Sequence, residues 1–166
     1  GPSHSFDAPV ALAQALIDGD HIGPVRMIHA LYATDFLYRP RTAAELVTEQ
    51  GGGVVFSQAV HQIDVVRRLA RAPATQVTAR TGAWDPERPT EGAYSLLLDF
   101  ANGAFASLSY SGYAHFDGDR WMDDVSELGT RKDGQHKDAR QALRAVDDEA
   151  AHKASRGFAS LATFPQ

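Results

Sequence analysis

An Asn-Gly pair between two apolar segments is the sequence feature that most restricts the fold. Residues 94–100 and 105–111 flank a four-residue connection in which Asn102 and Gly103 hold the two central positions. Both central positions of a type I′ turn need a positive φ, which asparagine and glycine tolerate better than other residues. The sequence therefore predicts a β-hairpin closed by this turn.

A type I′ turn also fixes which residues of the two strands face each other. It places Phe100 opposite Phe105 on one face of the hairpin. On the other face it places Leu97 opposite Leu108. Both faces are then partly apolar, whereas a sheet with one solvated face alternates more cleanly. This register predicts that a helix layer or a partner subunit covers the second face.

Helices and strands alternate along the chain before the hairpin. Apolar residues at helical spacing predict helices at about 8–18 and 54–70, and a capping-box pattern predicts a short helix that begins at Thr42. Segments 25–32 and 76–81 are predicted strands because turn residues bound them. Together with the hairpin, these elements predict an α+β domain with a mostly antiparallel sheet.

Composition limits the functions that such a domain can have. The 166 residues carry 16 basic and 21 acidic side chains, and the formal charge of −5 disfavours binding to nucleic acid or to an anionic membrane. Cysteine is absent, which excludes thiol catalysis and is typical of a reducing compartment. None of the seven histidines has a metal-ligand spacing, so no metal site is predicted. With no signal-peptide pattern and no membrane-spanning run, a cytoplasmic protein is expected.

One histidine is notable for its neighbours in the sequence. His61 lies in the middle of the predicted 54–70 helix, one turn after Ser57, and the three glycines 51–53 precede that helix. Glycines at this point allow another backbone or a ligand to approach closely. An imidazole titrates near neutral pH, which suits a general acid or base. The residues alone leave two interpretations open, a catalytic histidine or a polar residue between helix and sheet.

The stretch GGGVVFSQAVHQIDVVRRLA, residues 51–70, resembles the signature of the second domain of the glucose-fructose oxidoreductase and inositol dehydrogenase family. A helix before it and the Asn-Gly hairpin after it follow in the family's order, so the resemblance covers residues 5–111. Segments FLYRPR and SQA, at 36–41 and 57–59, are most similar to a subgroup that oxidises aromatic cis-dihydrodiols, such as phthalate 4,5-cis-dihydrodiol dehydrogenase. The resemblance implies an open sheet with helices on one face.

The resemblance also implies a cofactor and a larger protein. In this family an N-terminal Rossmann domain binds NAD or NADP, and this chain lacks the GxGxxG signature of such a domain, so no cofactor-binding residue is expected in it. Residues 1–166 are expected to be the C-terminal substrate and oligomerisation domain, without the dinucleotide-binding domain and without the last strands of the sheet. Residues 117–153 are expected to form a charged insertion with a helix at about 138–153. Alone, the chain is expected to be inactive.

Five residues are implied as the site. His61 matches the family histidine, which handles the proton of the substrate hydroxyl together with a lysine of the other domain. Ser57 occupies the family's aspartate position, and a hydroxyl cannot stabilise an imidazolium as a carboxylate would. Arg39 and Arg41 are expected to bind substrate carboxylates, because guanidinium groups can bind them bidentately. Ser57 and Gln58 are expected to contact the substrate. The alternative for the two arginines is an exposed loop pair or a contact with the cofactor domain.

The implied function is oxidation of a CH–OH group in a small hydroxylated molecule, with an aromatic cis-dihydrodiol carboxylate as the expected substrate. A second copy of the protein is the expected partner, bound through the open face of the sheet. Two alternatives stay open. One is a sugar or inositol dehydrogenase domain of the same family, and the other is a non-catalytic binding or assembly module, which Ser57 at the aspartate position would permit.

Overall fold

The computed structural model describes residues 3–126, 129–132 and 138–161, with the backbone alone from residue 157 onward. A four-stranded sheet forms its centre, with the strand order β1-β4-β3-β2. β1 runs parallel to β4, and the other neighbours are antiparallel. The predicted α+β fold with a mostly antiparallel sheet is therefore confirmed. The strands are β1 (Met27–Ala33), β2 (Ala74–Gly82), β3 (Ala93–Phe100) and β4 (Phe105–Ser111).

Two helices pack near one face of this sheet. α1 (Ala8–Asp18) has the predicted bounds, and α2 (Val60–Ala70) is preceded by a π-helical turn, Val55–Ala59, within the predicted helix. Val66 and Ala70 of α2 are each 2% exposed and pack into the core cluster on β3 and β4. α1 lies on the outer side of α2 and buries no residue completely. α2 is therefore the helix that forms the core with the sheet.

The turn of the hairpin differs from the predicted type I′ turn. The Gly103 N–H donates to the Phe100 carbonyl at 3.0 Å, and the Phe100 N–H donates to the Ala104 carbonyl at 2.9 Å. Gly103 has a φ of 81°, while Asn102 does not have a positive φ. This geometry is that of a three-residue loop, a type I turn followed by a left-handed glycine. The Asn102 amide donates instead to the Ala70 carbonyl at 2.9 Å, which ties the hairpin to the end of α2.

The predicted strand register is consequently wrong by one residue. Leu96 pairs with Leu108, and Leu98 pairs with Ala106, so these four side chains share the face that α2 covers. A shift of one residue moves every side chain of a strand to the opposite face. The buried and exposed positions of β3 and β4 alternate, and the exposed face still carries Leu97 and Phe105, so both faces of the hairpin are partly apolar as predicted.

The other face of the sheet is open to solvent in this chain. Ser95 and Ser109 form a cross-strand hydrogen bond of 3.0 Å there. Four large apolar side chains lie among such small polar ones and are exposed. They are Met27 and Leu31 on β1, Leu97 on β3 and Phe105 on β4.

The predicted helix at 138–153 is two helices, α3 (Ala139–Arg144) and α4 (Glu149–Leu161). The Asp148 carboxylate accepts a hydrogen bond of 2.9 Å from the Ala151 N–H, which favours a new helix start at this point. Residues 127–128 and 133–137 of the predicted insertion lie outside the described residues. No helix in the described ranges is long and apolar enough to span a membrane.

Candidate active-site cavity

A cavity of about 380 Å³ lies between β1 and α2. Its size is that of a site for a small organic molecule. The wall combines apolar side chains with imidazole, amide and phenol groups, which can orient a hydroxylated ligand. The polar residues that line it are His4, His29, Tyr32, Gln58, His61, Gln62 and Tyr110.

His61 lies in the first turn of α2 and lines this cavity. Its ring meets the ring of His4 edge to face, with the ring centroids 4.5 Å apart and an interplanar angle of 64°. Nδ1 of His4 lies 2.9 Å from Oδ2 of Asp7, the residue that precedes α1. The structure thus brings the predicted histidine together with a second imidazole and a carboxylate that no local sequence pattern links to it.

The π-helical turn positions the two predicted residues before His61 differently. The Ser57 hydroxyl donates to the Gly53 carbonyl, so it is bound to its own backbone and does not line the cavity. Gln58 does line the cavity beside His61. π-Helical turns within α-helices are frequent at functional sites, where they change the direction of side chains. Here the turn separates Ser57 from Gln58 and His61.

The three glycines before this turn allow close approach of the protein's own groups. Gly51 and Gly53 have φ values of 81° and 79°, in the left-handed region that favours glycine. A Cβ on Gly52 would lie 2.6 Å from the Glu45 carbonyl oxygen. A Cβ on Gly53 would lie 2.2 Å from Oε1 of Glu91. The glycines were predicted to let another backbone or a ligand approach closely. In the structure, the Glu45 backbone approaches Gly52, and the buried Glu91 carboxylate approaches Gly53.

The Glu91 carboxylate holds the start of the helical segment in place. It is 5% exposed, and it accepts hydrogen bonds from the Val55 N–H at 3.1 Å and from the Thr48 hydroxyl at 2.7 Å. The neighbouring Thr90 hydroxyl donates to the same carboxylate at 3.1 Å. A carboxylate that accepts a helix N–H compensates one of the unpaired donors of the first turn. The orientation of the segment that carries His61 therefore depends on Gly53 and Glu91.

Stacked tyrosines lie on the sheet side of the cavity. Tyr94 and Tyr110 have ring centroids 5.6 Å apart and nearly parallel planes. The Tyr94 hydroxyl donates to Oε1 of Gln62 at 2.9 Å, which orients that amide at the cavity wall. Burial raises the pKa of Tyr94, so its phenol stays protonated and remains a donor at physiological pH.

Arg39 and Arg41 do not line the cavity. Both guanidinium groups lie over the Phe36 ring, with Cζ at 5.7 Å from its centre for Arg39 and at 3.7 Å for Arg41. The Arg39 side chain is 49% exposed and pairs with Asp35 at 2.8 Å. The Arg41 side chain is 12% exposed, donates to the Phe36 carbonyl at 2.8 Å and lies over the Phe36 ring. Of the two predicted carboxylate-binding residues, Arg39 is therefore the more accessible.

Three of the cavity residues, His4, His29 and Tyr32, belong to segments that the sequence analysis did not connect with His61. The Ser107 hydroxyl lies 2.6 Å from Nδ1 of His29, on the strand beside β1. Although three histidines line one cavity, no metal-binding group of His, Asp and Glu side chains is found among residues 3–126, 129–132 and 138–161. The spacing of His4 and Asp7 is the one local signal that could have identified this pair.

Residues 10–125 match the family model described as the GFO/IDH/MocA C-terminal domain. The 1-carboxy-3-chloro-3,4-dihydroxycyclohexa-1,5-diene dehydrogenase of Comamonas testosteroni is 54% identical over 132 residues, which are 80% of this chain and 33% of that protein. The chain thus spans about a third of the length of this curated relative.

Solved structures with the same fold are also dehydrogenases or oxidoreductases. A candidate dehydrogenase of Bordetella bronchiseptica RB50 has a TM-score of 0.90 and 41% identity, with 94% of this chain and 41% of that chain covered. An oxidoreductase of Agrobacterium radiobacter in complex with NAD⁺, L-tartaric acid and magnesium has a TM-score of 0.53 and 21% identity, over 69% of this chain and 32% of that chain. At that identity the second likeness concerns the fold alone.

Proposed function

This chain belongs to the GFO/IDH/MocA C-terminal domain family, and on that premise we propose that it is the substrate-binding and oligomerisation domain of an NAD(P)-dependent dehydrogenase. The dehydrogenase oxidises a CH–OH group, and its proposed substrate is an aromatic cis-dihydrodiol that carries a carboxylate. The 54% identical relative supports this substrate class, because it is named as the dehydrogenase of a carboxylated dihydroxycyclohexadiene.

The observation that carries the proposal is the position of His61 in the wall of the cavity between β1 and α2. In the proposed reaction the hydroxyl O–H bond of the substrate breaks and its proton passes to the His61 imidazole. The carbinol carbon loses a hydride and becomes a carbonyl carbon. Bound NAD⁺ or NADP⁺ would supply the acceptor for that hydride, held by residues of the full-length protein outside this chain.

Three of the remaining predicted residues, Gln58, Arg39 and Arg41, are proposed to bind the substrate. Gln58 lines the cavity and can hydrogen-bond a second hydroxyl. Ser57 supports the same turn through the Gly53 carbonyl. Arg39 and Arg41 are proposed to attract the substrate carboxylate.

A substrate comparison in the full-length protein tests this function. We expect oxidation of a carboxylated aromatic cis-dihydrodiol, with either NAD⁺ or NADP⁺, at a higher kcat/KM than the uncarboxylated diol. We expect a still lower kcat/KM for myo-inositol, and no turnover by the 166-residue chain alone. A higher kcat/KM for the inositol would support the sugar dehydrogenase alternative, and absence of turnover with every diol in a folded protein would support a non-catalytic module.

Replacing Arg39 by alanine in the full-length protein is expected to raise KM for the carboxylated diol by roughly tenfold, because the attraction of its guanidinium for the carboxylate is lost. kcat should change little, since the proton acceptor is unaltered. Steady-state kinetics with the carboxylated and uncarboxylated diols measure this difference. Arg39→Lys, which keeps the charge, is the matched control and should recover part of the lost affinity. An equal rise in KM for both diols would contradict carboxylate binding by Arg39.

The open face of the sheet is proposed as the surface that binds a second copy of the protein. Its exposed apolar side chains are of the kind that subunit interfaces cover, and they are Met27, Leu31, Leu97 and Phe105. Leu97→Arg should shift the full-length protein towards monomer in size-exclusion chromatography with light scattering. Val77→Arg is the control, because Val77 is also an exposed apolar residue but lies on the edge strand β2 and on the other face of the sheet, beside Leu98. An unchanged oligomer in Leu97→Arg would contradict this interface.

A further inference from the structure

The short turn before α1 is fixed on α2 beside His61. Ser5 is 2% exposed and forms a side-chain hydrogen bond with Asp64 of α2. This hydrogen bond lowers the pKa of the Asp64 carboxyl, because it stabilises the charged form. Cζ of Arg68 lies 5.2 Å from the centre of the Phe6 ring. These contacts of Ser5 and Phe6, the two residues that follow His4, therefore hold the turn His4–Phe6 against α2.

The hydrogen bond between His4 and Asp7 determines how the His4 ring faces His61. Nδ1 of His4 lies 2.9 Å from a carboxylate oxygen of Asp7, and a carboxylate can only accept, so the proton of this bond is on Nδ1. The edge-to-face contact with His61 has a centroid distance of 4.5 Å. Two imidazole rings and one carboxylate thus form a continuous series that ends at the cavity.

We propose that Asp7 and His4 are positioning residues for His61. The Asp7 carboxylate fixes the orientation of the His4 ring, and His4 orients His61 and stabilises the imidazolium that forms when His61 takes the hydroxyl proton of the substrate. This inference rests on the proposed function of His61 as the proton acceptor. The pair supplies the negative charge that Ser57, bound to the Gly53 carbonyl, does not supply.

Other titratable side chains also surround the cavity, and one of them, Tyr32, donates a hydrogen bond of 2.8 Å to the Asp119 carboxylate. The described residues that line the cavity include no carboxylate. Besides His4 and His61, its titratable residues are His29, Tyr32 and Tyr110. On α2 itself, Asp64 is engaged by Ser5 and by Arg67, whose guanidinium lies 3.2 Å from its carboxylate. Arg68 extends from α2 towards Phe6 and Gln14.

The pH dependence of kcat/KM in the full-length enzyme tests the positioning role. Without the Asp7 charge the imidazolium of His61 is less stable, so His61 loses its proton at lower pH. In Asp7→Asn we expect the acidic limb of the profile to move to lower pH by roughly half to one unit. The plateau should fall roughly threefold to tenfold, because a weaker base accepts the proton less readily. Asparagine suits the position before a helix as well as aspartate does, so the variant should fold.

Two further variants complete the experiment. His4→Phe keeps an aromatic ring beside His61 but removes the bond to Asp7, and it should move the limb in the same direction. Asp18→Asn is the matched control, because it removes a carboxylate from the other end of α1, where Asp18 pairs with Arg71 at 3.1 Å. It should leave the limb unchanged.

The outcomes distinguish the positioning role from the function itself. A shift in Asp7→Asn and His4→Phe without a shift in Asp18→Asn would support the proposal. An unchanged limb in Asp7→Asn with a wild-type melting temperature would overturn it, and so would an equal shift in Asp18→Asn. His61→Ala is measured alongside: full activity there would refute the proposed function, whereas loss of activity there with a wild-type profile in Asp7→Asn would refute the positioning role alone.

Discussion

Replacement of His61 by alanine in the full-length protein is expected to lower kcat of the proposed reaction by roughly a hundredfold to ten-thousandfold, the range for loss of a general acid or base. His61 is the imidazole in the wall of the cavity on α2, and alanine leaves no group at that position to take the hydroxyl proton. The pH dependence of kcat should lose the limb that reports this group. Steady-state kinetics with a cis-dihydrodiol over a range of pH measure both effects.

Two controls show whether the loss of kcat in His61→Ala comes from the missing imidazole in the cavity. Affinity for NAD⁺ or NADP⁺, measured by titration, should stay close to that of the wild type, because the cofactor is proposed to bind mainly outside this chain. His21→Ala removes an exposed imidazole that does not line the cavity, and it should leave kcat unchanged. A wild-type pH profile in His61→Ala would contradict the role of His61 as the proton acceptor.

Replacement of Gly53 by alanine is expected to lower the free energy of unfolding by roughly 2–4 kcal/mol, through a strained backbone and displacement of a bonded carboxylate. Gly53 has a φ of 79°, and an added Cβ would lie 2.2 Å from Oε1 of Glu91. The carboxylate cannot move away without losing its hydrogen bonds from the Val55 N–H and the Thr48 hydroxyl. Urea unfolding of the full-length protein measures the change.

Gly51→Ala separates the two causes. Gly51 has a similar φ of 81°, but a Cβ there would meet no atom within 4 Å. This variant should lower the free energy of unfolding by only about 1 kcal/mol, which is the strain of a non-glycine residue in the left-handed region. Equal destabilisation by the two substitutions would contradict the account of the Gly53–Glu91 contact.

Features encoded by neighbouring residues could be predicted from the sequence. α1 has the predicted bounds because Asp7 and Pro9 mark its start and Gly19 its end, all within one short segment. The hairpin exists as predicted, but its register does not follow from Asn102 and Gly103 alone. The Asn102 side chain binds the Ala70 carbonyl, a contact between distant parts of the chain, and this tertiary bond accompanies the three-residue loop in place of the type I′ turn.

In the candidate site, too, local features could be predicted from the sequence and tertiary contacts could not. The position of His61 on a helix after three glycines could be predicted, because helical spacing and glycine punctuation are local patterns. Its contact with His4 could not, because it depends on the turn before α1 folding back onto α2. The separation of Ser57 from the cavity also could not be predicted, since a π-helical turn has no simple sequence pattern.

Transfer of deuterium from the substrate tests the central claim most directly. A cis-dihydrodiol carboxylate labelled with deuterium at the carbinol carbon is incubated with the full-length protein and NAD⁺ or NADP⁺, and the cofactor is analysed by mass spectrometry. The proposed hydride transfer predicts reduced nicotinamide that carries the deuterium, formed in proportion to the oxidised substrate. Reduced cofactor without the label, or oxidised substrate without any reduced cofactor, would contradict the claim that this domain serves a CH–OH dehydrogenase.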